Sequence, residues 1–207
     1  MKAPRFAAIV LAAGLSTRMP SFKPLLPLGG KNVIEHALAT FQETGADVYL
    51  VVGYRQQEVR SAVSRQAVTV VPNPDYEKGM LSSVQAGVKN LPPGYAAFFL
   101  LPADIPLISP STITALRDAG RENPGKVIYP VYHGKRGHPP LVPADLIPEI
   151  LAWNGDGGLQ AVLRRHTAVA YEVPVNDEFI LRDIDTQEAY QNLVTWLESH
   201  PDEKKQG

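Results

Sequence analysis

The stretch FAAIVLAAG, Phe6 to Gly14, decides the fold. Phe6 to Ala13 is apolar without interruption, branched at Ile9 and Val10, and the run stops at a glycine. A run so short and so apolar predicts a strand covered on both faces, as the strands of a parallel sheet are. Working outward, Asn32 can cap a helix whose apolar positions Val33, Ala37, Leu38 and Phe41 recur at helical spacing, with Gly45 just past its end. VYLVVG, residues 48–53, predicts a second buried strand, residues 58–65 a helix, 68–71 a strand, 80–88 a helix and 96–104 a strand that ends at Asp104. Strand and helix alternate at the spacing of βαβ units. The expected fold is therefore α/β: three layers, doubly wound, with a mainly parallel, Rossmann-like sheet.

The second half is less regular. It offers a helix at 111–119, strand pieces VIYPVY and PPLVP on either side of a turn with glycine and histidine, helices at 144–152 and 159–166, a strand VAYEVPV and a final helix at 186–197. The 19 prolines stand mostly at element edges, so they punctuate this pattern without forbidding it. There is no internal repeat or low-complexity linker, and 207 residues fit one domain with a short tail.

Composition excludes several classes of function. With no cysteine, disulfides, thiolate zinc sites, iron–sulfur clusters and a cysteine nucleophile are all removed. A net charge of −1 argues against a general nucleic-acid-binding surface. No apolar run reaches the ~20 residues of a spanning helix, so no membrane association is expected, and the expected location is cytoplasmic. The charges are unevenly placed, however. Lys2, Arg5, Arg18, Lys23 and Lys31 all precede the first acid, Glu35, which suits a small anionic ligand better than a polyanion.

In such a sheet ligands bind beyond the carboxyl ends of the strands. After the first strand comes LAAGLSTRMPSFKPLLPLGG, Leu11 to Gly30, in which a turn of small residues with free backbone N–H groups is followed by Arg18 and Lys23. Backbone donors and two cations can neutralise a triphosphate, although an ordinary βα loop with solvated cations has the same outline. It is not a Walker loop: Gly29 to Asn32 (GGKN) lacks the earlier glycine and the hydroxyl residue after lysine. GDGGLQ at Gly155 has Gln160 where a dinucleotide fingerprint needs its last glycine, and no G-x-S-x-G elbow exists. Asp104 closes an apolar strand beside the loop and is a natural Mg²⁺ ligand, since Mg²⁺ takes one or two carboxylates with phosphate oxygens and water. Capping of the Ser109–Ser111 turn is the plainer alternative for Asp104, and capping of the last helix for Asp183 and Asp185. Ser82 and Ser83 open a helix after Gly79, where hydroxyls can read a base edge or merely cap.

LAAG-x-S-x-R-M followed by Lys23 resembles the signature loop of GT-A-type nucleotidyltransferases, and most closely the molybdenum cofactor cytidylyltransferase family, relatives of the molybdopterin guanine dinucleotide synthases. GMLSSVQAG (79–87), LLPADIPLI (100–108), GKRGHPPLV (134–142), GDGGLQAVL (155–163) and DIDTQEAY (183–190) follow in that family's order and spacing, from Phe6 to about Leu193. The resemblance implies an enzyme, a Mg²⁺-dependent transferase that moves CMP from CTP to the phosphate of a molybdopterin-type cofactor, with a molybdenum-containing hydroxylase receiving the product. It implies Arg18, Lys23 and Asp104 as catalytic residues; Leu11, Ala12, Ala13, Gly14, Ser82 and Ser83, with Arg18 and Lys23, at the nucleotide; Asp104 and Asp185 at the metal; and Gly137, His138, Pro139 and Gly157 at the acceptor. It also implies a nucleotide-binding half at 1–105, an acceptor-binding half at 106–198 and a tail at 199–207. The Ala12-Ala13 pair, Gly-Gly in guanylyl-transferring relatives, goes with cytosine, and two methyl groups would narrow a base pocket. Pro20 departs from the family's usual glycine and removes a backbone N–H. The rival expectations are a sugar phosphate or methylerythritol phosphate as acceptor, a glycosyltransferase (which usually shows Asp-x-Asp in mid-chain), and a non-catalytic nucleotide-binding accessory protein for a molybdenum enzyme.

Overall fold

The structure is a computed structural model that describes residues 4–17, 19 and 21–200. Strand β1 (Arg5–Ala12) lies mid-sheet, paired in parallel with β4 (Asp47–Val52) on one side and β6 (Tyr95–Pro102) on the other. Side chains alternate across a strand, and both faces of β1 are covered. Phe6, Ala8, Val10 and Ala12 enter one core, while Ala7, Ile9 and Leu11 enter another. That double burial explains the unbroken apolar run.

After β1, a short hairpin β2 (Pro27–Leu28) and β3 (Lys31–Asn32) turns on Gly29 and Gly30, at φ of 57° and 93°. Its two-residue strands were not anticipated. Helix α1 (Val33–Gln42) starts at Asn32 as expected, where the Asn32 N–H donates to Glu35 Oε2 at 2.8 Å. The first half continues through α2 (Gln56–Ala62), β5 (Thr69–Pro72) and α3 (Met80–Lys89), each within a few residues of its predicted position. After β6 come α4 (Pro110–Glu122), β7 (Ile128–Tyr132), β8 (Lys135–Arg136), β9 (Leu141–Pro143), α5 (Ile147–Ala152), α6 (Gly158–Arg165), β10 (Tyr171–Pro174) and α7 (Gln187–Ser199).

The main sheet runs β10-β7-β9-β6-β1-β4-β5, with β8 as a hairpin on β7. All pairings along that path are parallel except those of β9, which runs against both β6 and β7. The reversal positions the site. Leu141 pairs with Phe99 and the Pro140 carbonyl accepts the Leu100 N–H, so the residues leading into β9 arrive at the carboxyl edge, where β6 delivers Asp104. The core on one face takes Ile34, Leu38 and Phe41 from α1 and Ile113 and Leu116 from α4; the opposite core takes Val84 and Val88 from α3, Ile150 from α5 and Val162 from α6. A third cluster joins Leu193 and Leu197 of α7 to Leu28 and Val33 at the hairpin. Among the described residues no helix is long and apolar enough to cross a membrane.

Candidate active site

Beyond β1, residues 13–17 line one wall of a cavity of about 370 Å³ with Lys23, Tyr76, Glu77, Met80, Ser83, Pro102, Asp104 and Asp185. Ser16 holds a left-handed φ of 54°, sparsely populated for a side-chain-bearing residue, and its Oγ accepts the Lys23 N–H at 3.2 Å. This contact closes the loop on itself and fixes where the Lys23 side chain starts. Asp104 is held from two sides: the Ala103 N–H donates to the Leu11 carbonyl at 3.0 Å, and the Asp104 carbonyl accepts the Ile184 N–H at 2.9 Å. The second bond brings Asp185, distant in sequence, into the same cavity.

The Lys23 ammonium lies 3.1 Å from Asp104 Oδ2 and 2.5 Å from Asp185 Oδ1, and the residue is only 7 % exposed. Burial works against its charge, but the hydrogen bond to Asp185 and the field and hydrogen bond of Asp104 outweigh it, holding the ammonium above the ordinary lysine range. The Asp183 pKa is also raised, which for a carboxyl favours the neutral form. Burial, then the charges of Asp185 and Asp104, push its carboxyl up. Two carboxylate oxygens converging on one cation also suit a divalent ion that completes its shell with phosphate oxygens and water. Among the described residues no three His, Cys, Asp or Glu side chains form a full cage, which such an ion does not require.

A second, larger cavity of about 960 Å³ abuts the first, sharing Leu11, Met80 and Pro102. Met80 forms that shared rim at 63 % exposure. Lys78, Arg136 and Arg164 line the larger cavity together with His138 and Tyr129, and among the described residues no carboxylate does. Lys78 pairs with Asp75 at 2.8 Å and Arg136 with Glu172 at 2.7 Å, whereas the Arg164 Nε donates to the Gln160 carbonyl. His138 is tied down by its N–H to the Ile180 carbonyl at 2.8 Å. Burial lowers its imidazole pKa, partly opposed by the charges of Asp104 and Asp183.

Residues 8–169 match the sequence profile of the MobA-like NTP transferase domain. The chain belongs to that family. Among relatives of this MobA-like transferase, the molybdenum cofactor cytidylyltransferase of Escherichia coli K12 is 31 % identical over 88 % of this chain and 92 % of its own. A protein named nicotine blue oxidoreductase, from Paenarthrobacter nicotinovorans, is 29 % identical over 92 % of this chain and 97 % of its own. Among solved structures, a nucleotidyl transferase from Methanothermobacter superposes with a TM-score of 0.82 at 26 % identity, covering 96 % of this chain and all of the other. The MobA-like transferase is thus an enzyme of the nucleotidyltransferase class, and the expected Rossmann-like α/β architecture holds.

The geometry brings together Leu11, Ala12, Ala13, Gly14, Lys23, Ser83, Asp104 and Asp185 at the first cavity, and Gly137, His138 and Gly157 at the second. Arg18 and Pro20 lie outside the described residues, as do residues 201–207 of the tail. Ser82 does not line either cavity. Its hydroxyl proton is shared between the Asp75 and Gly79 carbonyls at 2.8 Å and its oxygen accepts from Asn73 Nδ2, which ties the 73–79 segment to α3. It is not a cap, since the N-cap position is Gly79 and no backbone N–H of the described residues reaches the Ser82 hydroxyl. Pro139 is buried beneath the turn and does not line the second cavity. Ala12 and Ala13 pack into opposite cores, and both line the first cavity. Sequence reasoning missed Tyr76 and Glu77, although they follow β5 at the carboxyl edge, where ligands are expected. It also missed Arg164, whose place on a helix resembles an ordinary solvated charge.

Proposed function

We propose that the chain transfers CMP from CTP to the phosphate of a molybdopterin-type cofactor, forming the cytosine dinucleotide cofactor and pyrophosphate. The observation that carries this reading is the junction of two unlike cavities. One holds the cation–carboxylate cluster and the glycine-containing loop; the other is larger, lined by cations and, among the described residues, by no carboxylate. A nucleotide in the first and an anionic acceptor in the second would meet at Leu11, Met80 and Pro102. The E. coli relative's name supports the choice of CTP and of a molybdenum cofactor. On this reading residues 1–105 serve the nucleotide and 106–198 mainly the acceptor within one domain, with Asp185 crossing over to the nucleotide side.

The acceptor phosphate attacks the α-phosphorus of CTP; a new P–O bond forms as the bond to the β-phosphate oxygen breaks and pyrophosphate leaves. The attacking phosphate is already an anion at neutral pH, so the protein's work is positioning and charge neutralisation. Backbone N–H groups of residues 13–17 and the Lys23 ammonium hold the triphosphate and stabilise charge on the departing pyrophosphate. Arg18 belongs to the same loop and is assigned the same task by resemblance. Asp104 and Asp185 would hold Mg²⁺, which when bound neutralises phosphate charge. Ser83 contributes to the nucleotide wall. Gly137, His138 and Gly157, with Arg164, shape the acceptor cavity, and a molybdenum-containing hydroxylase is the expected recipient of the product.

The test is Mg²⁺-dependent pyrophosphate release with the molybdenum cofactor, comparing CTP, GTP and ATP, with Lys23→Ala and Asp104→Ala as controls. Release with CTP and not with GTP or ATP, lost in both variants, is the expected result. Binding of CTP without release of pyrophosphate would overturn the acceptor, and sugar phosphates would be tried next. Because one full-length relative carries an oxidoreductase name, product formation and not ligand binding is the deciding readout.

A further inference from the structure

The same two oxygens that would face a divalent cation are already engaged by an ammonium. Lys23 Nζ sits 3.1 Å from Asp104 Oδ2 and 2.5 Å from Asp185 Oδ1, nearly shielded from solvent. An ammonium and a divalent ion cannot occupy one pair of oxygens at those separations, because each would lie within direct repulsion of the other. Lysine is suited to leaving: its charge is a compact point on a flexible four-carbon stem. The Lys23 main chain is anchored through its N–H to Ser16, so the side chain can swing while the loop stays fixed. It also has somewhere to go. Lys23 lines the cavity bounded by residues 13–17, where a triphosphate would lie.

We propose that Lys23 is an exchangeable counter-ion of the Asp104–Asp185 pair, which a divalent cation can claim only when nucleotide phosphates draw the ammonium away. This rests on the nucleotidyl-transfer reading and adds its regulation. Without nucleotide, Lys23 holds the two acids together and competes with free metal. With nucleotide, the ammonium moves to the phosphates, and the metal takes its place between the acids and the same phosphates. Metal and nucleotide then bind with positive cooperativity, and linkage requires each to tighten the other by one common factor.

The experiment is calorimetric titration of Mn²⁺ into wild type, Lys23→Met and Lys23→Gln, each with and without α,β-methylene-CTP, and with thermal melts to establish folding. In the absence of nucleotide both variants are expected to bind Mn²⁺ at least about tenfold more tightly than wild type, within the usual range of coupling. The CTP analogue should tighten Mn²⁺ binding by wild type at least about tenfold and by the variants distinctly less. Equal Mn²⁺ affinity in wild type and both variants, abolished by Asp104→Asn, would overturn the exchange while leaving the metal site standing. No Mn²⁺ binding by any of the proteins, even with the analogue, would remove the metal site and the exchange together.

Discussion

A single methyl group at Gly137 should separate the acceptor side of the site from the nucleotide side. A Cβ built there would lie 2.5 Å from the Ile180 carbonyl oxygen, 2.6 Å from Ile180 Cγ1 and 2.8 Å from its Cβ. No rotamer change relieves contact with a backbone oxygen, and both partners are held in place. Ile180 is fully buried and its carbonyl accepts the His138 N–H, while the Gly137 N–H donates to Pro130. Gly137→Ala must therefore push the turn and the 178–181 segment apart. Overpacking of this kind costs about 1–3 kcal/mol, and a weakened His138–Ile180 hydrogen bond adds about 1 kcal/mol. The sum of about 2–4 kcal/mol lowers Tm by about 4–16 °C for a chain of this length. Differential scanning fluorimetry reads the stability, and steady-state kinetics with each substrate varied in turn reads the site. The expected result is a lower Tm and a KM for the acceptor raised more than the KM for CTP, because His138 is displaced. A Tm within about 1 °C of wild type would refute the packing argument. A KM rise confined to CTP would refute the assignment of this turn to the acceptor.

The same substitution at Gly14 should behave oppositely: a Cβ there meets nothing within 4 Å, so Gly14→Ala should leave Tm nearly unchanged while weakening CTP binding, and a lowered Tm with normal binding would contradict this. Ser82→Ala should cost about 1 kcal/mol of stability in chemical denaturation with an unaltered KM for CTP, whereas Ser83→Ala should raise that KM; reversed effects would restore Ser82 to the nucleotide wall. Burial depresses the basicity of His36, opposed in part by its hydrogen bond to the Leu28 carbonyl. The stability it contributes is complete above about pH 6.5 and is lost as pH falls from there through the lower folded value. Melting temperature should fall on that acid side, and NMR of the ring should show it neutral at pH values where free histidine is half protonated; a midpoint at or above about 6.5 would refute the assignment.

The parts of the fold legible in the sequence are those where one local pattern has one physical cause. Phe6 to Ala13 reads as a strand because both faces are buried, and α1 reads from Asn32 because its cap and apolar stripe agree. The hairpin around Gly29 and Gly30 escaped because strands of two residues carry no periodicity, although the paired glycines marked a turn. Asp104 could be found from its strand, but Lys23 meets it across 81 residues and meets Asp185 across 162, and no local pattern encodes that. Only the resemblance pointed there. The cationic second cavity was hidden for a related reason: Lys78, Arg136 and Arg164 come from three separate segments, and each alone looks like a solvated surface charge.

Strand β9, three residues running backwards between β6 and β7, also constrains how the chain can be made. Until it arrives, β6 is the rim of a four-stranded sheet and shows the apolar run AAFFLL with a row of unpaired backbone groups, the kind of edge that recruits other chains. A ribosome adds the intervening stretch of about 40 residues at about 5–20 residues per second, so the bare rim persists for a few seconds in every round of synthesis. Expression of the first half alone would make that interval permanent. Cutting the chain at residue 105 is therefore expected to give a first piece that aggregates, because β9 supplies the strip of backbone that seals β6.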